Sequence, residues 1–441
     1  MSHEVIETIG IGSGVELARV VRAGRWVFAQ GNMATTHAGG ICSADPIQGD
    51  TDPLLREPPG LSQGRWMFDD LIRNLKKSGM SLDDLVRLDQ YYTSTRTVPP
   101  YHLARHAAFS SSIMPPSTSI VVEELLTPGA VLCLEALAVN DGKNERRPIS
   151  ASGVPMPRVS SGFVPVLKFD EFIFLAGQIA DAVDGSGIAP EATMNPQFVW
   201  DGSEIARQTK YVLNNLLQSA EAAGSDRAHI VKAQVYLKNM EDLPEFNEVW
   251  KDVFKGAGPV KTVAPASALA LQKGIIEINL IGVVRGTKLN RTSIASQPGG
   301  PAAITAADLT FLSGASATRD DQQLAPAVRA ACRDRYVRSV AAAETEIIID
   351  EVEARLAAHG YGLRDITRII QFHIDLCDFP PSMQVWHKRI GGPVPISAVQ
   401  VHGPLILSGA RILADCWAAA QLVSCDFGLW HRGRRAMPPP L

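Results

Sequence analysis

Apolar and polar positions along the chain alternate between a helical and a strand period, and the order in which they switch recurs. The clearest run is Phe172 to Gly282. It opens with an apolar strand ending in a glycine turn, Phe172-Ile173-Phe174-Leu175-Ala176-Gly177-Gln178-Ile179. Ile205, Val212, Leu213, Leu216, Leu217 and Ala220 then lay a single stripe down an amphipathic helix. Gly224, tolerant of a left-handed backbone, stops that helix. Val231-Lys232-Ala233-Gln234-Val235-Tyr236-Leu237-Lys238 alternates apolar and polar, the pattern of a half-buried strand. A second helix is predicted over Leu243 to Phe254, and the run closes on the strand Gly274 to Ile281.

The same four landmarks occur three times, roughly 140 residues apart. The glycine turn returns as Ala29-Gln30-Gly31-Asn32 and Leu312-Ser313-Gly314-Ala315. The helix returns through Phe68, Leu71, Ile72 and Leu75 up to Gly79, and through Ile348, Ile349, Val352 and Leu356 up to Gly360. The alternating strand returns at Val86–Tyr92 and Ile370–Leu376, the closing strand at Val131–Leu137 and Ile412–Trp417. One domain is written three times, with the third copy the most diverged.

The second copy resembles the Rid (YjgF) family of imine and enamine deaminases. The resemblance rests on Ala176-Gly177-Gln178-Ile179, Leu216 through Ala223-Gly224-Ser225, Phe246-Asn247-Glu248-Val249-Trp250, and Leu271-Gln272-Lys273-Gly274 leading into Glu277-Ile278-Asn279. It implies an α+β fold: three tandem chorismate-mutase-like domains forming an intramolecular pseudo-trimer, sheets inside and helices outside, with a site in each cleft between neighbours. The expected division is 1–140, 161–285 and 303–426 for the three copies, linkers at 141–160 and 286–302, and a tail at 427–441. The resemblance implies a metal-independent hydrolase without a cofactor, acting on C–N bonds of a small molecule, with carboxylate-bearing compounds among the candidates. A catalytically silent metabolite-binding protein, or a ring-amide hydrolase, cyclase or isomerase in the same cleft, are the competing readings.

Bulk properties narrow the partners. The 441 residues are 46% hydrophobic and 20% charged with a net charge of −4, an ordinary globular balance. Nothing in it points to nucleic acid or an anionic membrane. Met1-Ser2-His3-Glu4-Val5 lacks the basic start and apolar run of a signal peptide, and no apolar stretch approaches the roughly 20 residues that span a bilayer. A cytoplasmic chain is expected, self-contained as a pseudo-trimer and monomeric or dimeric as a whole. Cys42, Cys133, Cys332, Cys377, Cys416 and Cys425 show no metal-binding spacing and read as free thiols, Cys133 and Cys416 in the core. The loop His37–Gln63 reads as a surface excursion or lid, Arg319–Arg338 as open or helical, and Trp430–Leu441 as a disordered end.

Hydrolysing a carboxylate-bearing imine requires a cation for the carboxylate, a carboxyl group to handle protons, and a glycine turn for close approach. In the family, an arginine before the last strands and a glutamate on the closing strand take the first two parts. The resemblance puts the arginine position on Lys261, near Thr118 in the first copy and near Pro395 in the third. It puts the glutamate position on Asn279, Glu135 and Asp415. Glu277 lies on the same strand face as Asn279 and is able to deputise. Glu135, Lys261 and Glu277 are therefore the candidate catalytic groups. Gly31, Asn32, His102, Gly177, Gln178, Asn247, Asn279, Arg411 and Asp415 are candidate substrate contacts, and no metal ligands are expected. Plainer readings stand beside these: Lys261 as a solvated lysine, Glu135 as a structural hydrogen-bond partner, His102 as a surface histidine, Arg411 as an ion-pair partner of Asp415, and Phe163 as core. A Ser267–Lys261 dyad is disfavoured because no Ser–Lys pair recurs in all three copies.

Overall fold

The computed structural model describes residues 3–10, 14–35, 57–155, 162–195, 197, 202–256, 258–293, 300–318, 323–334 and 339–419. The first third of the chain contributes strands β1 (Glu4–Gly10), β2 (Glu16–Ala23), β3 (Trp26–Asn32), β4 (Leu85–Tyr92), β5 (Ser117–Val121), β6 (Glu124–Leu125) and β7 (Leu132–Val139), with helices α1 (Pro59–Lys77) and α2 (Val98–Ala108). The second contributes β8 (Arg147–Ile149), β9 (Val166–Phe169), β10 (Phe172–Gln178), β11 (Ile230–Leu237), β12 (Val260–Pro265) and β13 (Ile276–Val283), with α3 (Glu204–Ala222) and α4 (Leu243–Phe254). The third contributes β14 (Leu289–Thr292), β15 (Ala303–Ala306), β16 (Leu309–Leu312), β17 (Ala315–Ser316), β18 (Ile366–His373), β19 (Ile396–Gln400) and β20 (Ile412–Ala419), with α5 (Pro326–Arg333), α6 (Val340–Ala357) and α7 (Phe379–Ile390).

The fold is mixed α+β with three sheets whose strand orders correspond: β1-β2-β3-β7-β4-β5, β8-β9-β10-β13-β11-β12 and β14-β15-β16-β20-β18-β19, the last extended at its edge by β6. In each, the final pair is parallel and the rest antiparallel. The three second helices start alike. Ser94, Asn239 and Asp375 each accept a backbone N–H two residues on, and prolines then occupy the first helical turn, where the missing N–H costs nothing.

One face of every sheet packs on its own helices. In the second unit Ile230, Ala233, Val235 and Leu237 of β11 join Val212, Leu213 and Leu216 of α3 and Trp250 of α4. The other faces pack on one another: Trp26, Phe28, Phe172, Phe174, Phe311 and Trp417 share one core drawn from all three units. Sheets covered on both sides leave no solvent face. The alternating strands are therefore not half-buried as their pattern suggests; β4, β11 and β18 are buried throughout. Arg87, Lys232, Gln234 and Arg368 face the other sheets instead.

Those residues satisfy one another around a closed circuit. Arg87 of β4 donates to Asn279 of β13 at 2.8 Å. Lys232 of β11 donates to Asp415 of β20 at 2.7 Å, and Arg368 of β18 donates to Glu135 of β7, back in the first unit. Thr118 accepts from Asn279 at 2.9 Å, and Ser397 donates to Glu135. Arg87 also pairs with Asp89 at 2.9 Å. Three cations thus meet three carboxylates, each side chain nearly inaccessible, as burial of charge demands. The hairpin turns β2–β3, β9–β10 and β15–β16 also meet, where Arg25 pairs with Asp308 (2.9 Å), Asp170 (2.7 Å) and Glu171 (3.4 Å).

Some expected features differ. The segments read as linkers carry edge strands β8 and β14. Most of the loop His37–Gln63 lies outside the described residues, and from Pro59 it is already α1; within Arg319–Arg338, the part that is described forms α5. Cys133 and Cys416 are buried free thiols; Cys42, Cys425 and the tail 427–441 lie outside the described residues. Among the described residues no helix is long and apolar enough to cross a membrane, and no cluster of side chains is arranged to hold a metal ion.

Candidate active site

A cavity of about 700 Å³ opens between the first and second units, within the size range of sites that enclose small organic ligands. From the first unit it is lined by α2, through Val98, Pro99, His102, Leu103 and His106, and by Ser117, Ser119 and Val121 of β5. Helical spacing puts Val98, His102 and His106 on one face of α2. The adjoining face, with Tyr101, Ala104 and Arg105, is buried in the first unit. From the second unit come Phe163, Pro165, the run Ala176–Ile179, Asp181 and Glu277.

Glu277 is a strongly perturbed carboxyl group of this wall. Its residue is 4% exposed, it accepts the backbone N–H of Ser119, and its Oε2 is buried without a hydrogen-bond partner. Burial, helped by the nearby Asp89, outweighs the Ser119 hydrogen bond and pushes its carboxyl up to about 8. Gly177 makes room for it. A Cβ on Gly177 would lie 2.2 Å from Glu277 Oε1 and 3.1 Å from Thr118 Cγ2, so a larger residue displaces the carboxyl. The pairing of β10 with β13 slips between Leu175 and Gln178, a bulge that turns Gly177 and Gln178 toward the cavity. Gln178 Oε1 is likewise buried without a partner. Burial, reinforced by Arg105 and His106, lowers His102 to about 3, so its imidazole is neutral at physiological pH.

Of the candidate residues, His102, Gly177, Gln178 and Glu277 line this cavity. The others do not. Glu135, Asn279 and Asp415 sit in the central circuit, already paired with Arg368, Arg87 and Lys232. Lys261 donates to Asn247 at 2.6 Å and lies against the Phe246 and Trp250 rings, where burial lowers it to about 8; it is neither solvated nor in the cavity. Asn32 accepts from Arg19 at 2.6 Å and Gly31 packs on Ser397. Arg411 pairs with Asp378 at 2.6 Å, not with Asp415. Ser267 donates to Glu123 at 2.6 Å, which leaves no Ser–Lys dyad. Phe163 lines the cavity and also packs, partly buried, against the first unit's core. Sequence reasoning missed Ser117, Ser119, His106 and Asp181. The signals present were a His pair four apart on α2 and a serine pair two apart on β5.

The model of the Endoribonuclease L-PSP family matches residues 155–284. A RutC family protein of Pyrococcus abyssi is 31% identical over 113 residues, 26% of this chain and 80% of that protein. The chain belongs to the Rid (RutC/YjgF) family. A 2-iminobutanoate/2-iminopropanoate deaminase of Rattus norvegicus is 32% identical over 139 residues, 31% of this chain and 90% of that protein. Among solved structures, the Rid family protein YyfA of Yersinia pestis is 23% identical over 32% of this chain and 99% of its own, with a TM-score of 0.27.

Within this Rid chain, ladder register allows the three clefts to be compared position by position. Tyr236 pairs with Glu277, Tyr91 with Cys133 and Phe372 with Leu413, so those three closing-strand residues are equivalent. Cys133 and Leu413 pack in an apolar core. Leu88 pairs with Ser117, Ala233 with Lys261 and Ile369 with Ile396, which makes these three equivalent in turn and moves the first-copy position one residue from Thr118. The cleft between units one and two thus combines Ser117 with Glu277. The positions that correspond between units two and three are Lys261 and Leu413, and between units three and one Ile396 and Cys133. Glu277 and Lys261 thus belong to different clefts.

Proposed function

We propose that this protein is a small-molecule hydrolase of the Rid type, working through one specialised cleft between its first and second units with Glu277 as the proton-transferring group. The observation that carries the reading is the buried Glu277 carboxyl, one oxygen of it without a partner, in the wall of a ligand-sized cavity, its pKa raised to about 8. In hydrolysis of an imine, neutral Glu277 gives its proton to the imine nitrogen as a water oxygen bonds to the carbon. The resulting carboxylate takes a proton from that water, which leaves a neutral carbinolamine. Glu277 then protonates its amine, the C–N bond breaks as the hydroxyl oxygen forms the carbonyl and returns its proton to Glu277, and a carbonyl compound and ammonia leave. We also infer that the three units form a covalent counterpart of a three-subunit ring. The reading is supported by the circuit in which Arg87, Lys232 and Arg368 each donate to the following unit, and by the three hairpin turns that meet at Arg25.

The test is ammonia release from imines generated in place, beginning with 2-iminobutanoate, the compound in the name of the rat relative. Glu277→Gln is expected to lose at least about a hundredfold in kcat/KM. A second reading, a ligand-binding protein without turnover, is favoured by the separation of Glu277 and Lys261 into different clefts. Saturable binding with no ammonia from any imine, in wild type and Glu277→Gln alike, decides for it.

A further inference from the structure

The cavity's lining also bears on the kind of molecule it admits. Apart from Glu277 and Asp181, both carboxyl groups, its walls are largely hydrocarbon: Val98, Leu103, Val121, Phe163, Ile179 and Leu269. Among the described residues that line it there is no lysine or arginine. At the strand position where the second unit carries Lys261, this cleft carries Ser117. Arg105 lies fully buried behind the wall. It donates to Ser117 Oγ at 3.2 Å and packs over the Tyr101 and Phe163 rings. It reaches the wall through Ser117 and Phe163 and is not itself among the lining residues. A ligand carboxylate would therefore be stripped of water and offered no ammonium or guanidinium by the described wall in return. The volume is also generous for the smallest imino acids and suits a ring-bearing molecule.

We infer that this cleft takes an uncharged, largely apolar carbonyl or imine compound of aromatic size and rejects its carboxylate-bearing counterpart. The inference rests on the proposed use of this cleft, but binding tests it apart from turnover. Two probes share one skeleton and differ only where a methyl group replaces a carboxylate: acetophenone and phenylglyoxylate. Calorimetric titration of the whole protein at neutral pH is expected to give acetophenone an affinity at least about tenfold higher, because the carboxylate finds no cation to repay its desolvation. Glu277→Gln should keep that preference, since it is set by the whole wall. Equal or tighter binding of phenylglyoxylate, or binding of neither probe, overturns the inference. Preference for acetophenone with hydrolysis of neither corresponding imine supports it and removes the hydrolase reading. Faster hydrolysis of the phenylglyoxylate imine overturns it and leaves the hydrolase reading standing.

Discussion

Glu277 decides most of what can be asked at the level of single residues. Unfolded, a glutamate ionises near pH 4.3, whereas in its place on β13 it holds its proton up to about 8. Between those values the unfolded chain binds one proton fewer than the folded one, so stability falls as pH rises through that window. Glutamine in its place still accepts the Ser119 N–H and carries no charge. Glu277→Gln should therefore be more stable than wild type at pH 7, on the order of 3 kcal/mol, with the gap closing toward pH 4. Melting curves across that range check it; a gap that is constant with pH refutes the burial argument. In the wild type, hydrolysis that needs neutral Glu277 should hold level below about pH 8 and decline above it, read from kcat/KM. The residue type was legible in the chain, but its depth was not. Glu277 and Asn279 share a strand face, and no pattern says which of two such residues lies at the rim of a cleft and which at the meeting point of three sheets.

Elements were the most legible level, because period reports what an element packs against. Leu243–Phe254 forms α4 as its spacing predicts, and Ile205 through Ala220 lie on α3 with its stripe inward. The alternation in β11 was read correctly as a strand and wrongly as half-exposed. A period of two separates the faces without saying that the polar one meets Asp415 and not water. The edge strands β8 and β14 are too short and polar to stand out from linker composition. Comparing second helices shows what the alternation conceals. In the second unit the strand carries the cation, Lys261, against Trp250 of α4. In the first, α2 carries Arg105 in the helical register of Trp250, and the strand carries Ser117. A lysine buried against rings with its pKa lowered to about 8 weakens the fold at neutral pH. Stability contributed by relief of that charge appears only as pH rises from 8 toward the unfolded value near 10.4. Lys261→Met should accordingly gain about 1 kcal/mol at pH 7, discounted for the lost hydrogen bond to Asn247, with the gain shrinking above pH 8. Turnover in the first cleft should stay within about twofold, because Lys261 does not touch that cavity. A collapse of kcat would restore Lys261 to the mechanism.

Across the whole molecule, the repeat predicts more than its copies do separately. Each unit alone would present a row of unpaired polar groups on its inner sheet face; assembled, the rows complete one another in a fixed direction around the centre. Burial pushes Asp415 up, but Lys232 and Arg368 outweigh it and hold its carboxyl below the ordinary carboxylate range. That contribution is present above the unfolded carboxylate value and is lost as pH falls through the lowered one. Arg368 tests how far the circuit is shared. It donates to Glu135, lies 3.7 Å from Asp415 and 3.9 Å from Asp89, and stacks 4.6 Å from the Trp417 ring centre. Arg368→Ala strands Glu135 without its cation and should cost about 3–5 kcal/mol, the usual penalty for an uncompensated buried charge. Arg368→Met with Glu135→Leu removes one charge of each sign, keeps Arg87 and Lys232 opposite Asp89 and Asp415, and should recover most of that loss. Urea unfolding of the two variants separates the alternatives. If the double variant is as unstable as the single, the circuit acts as one indivisible unit joining all three copies, and its value lies in fixing their order around the centre more than in any one pair.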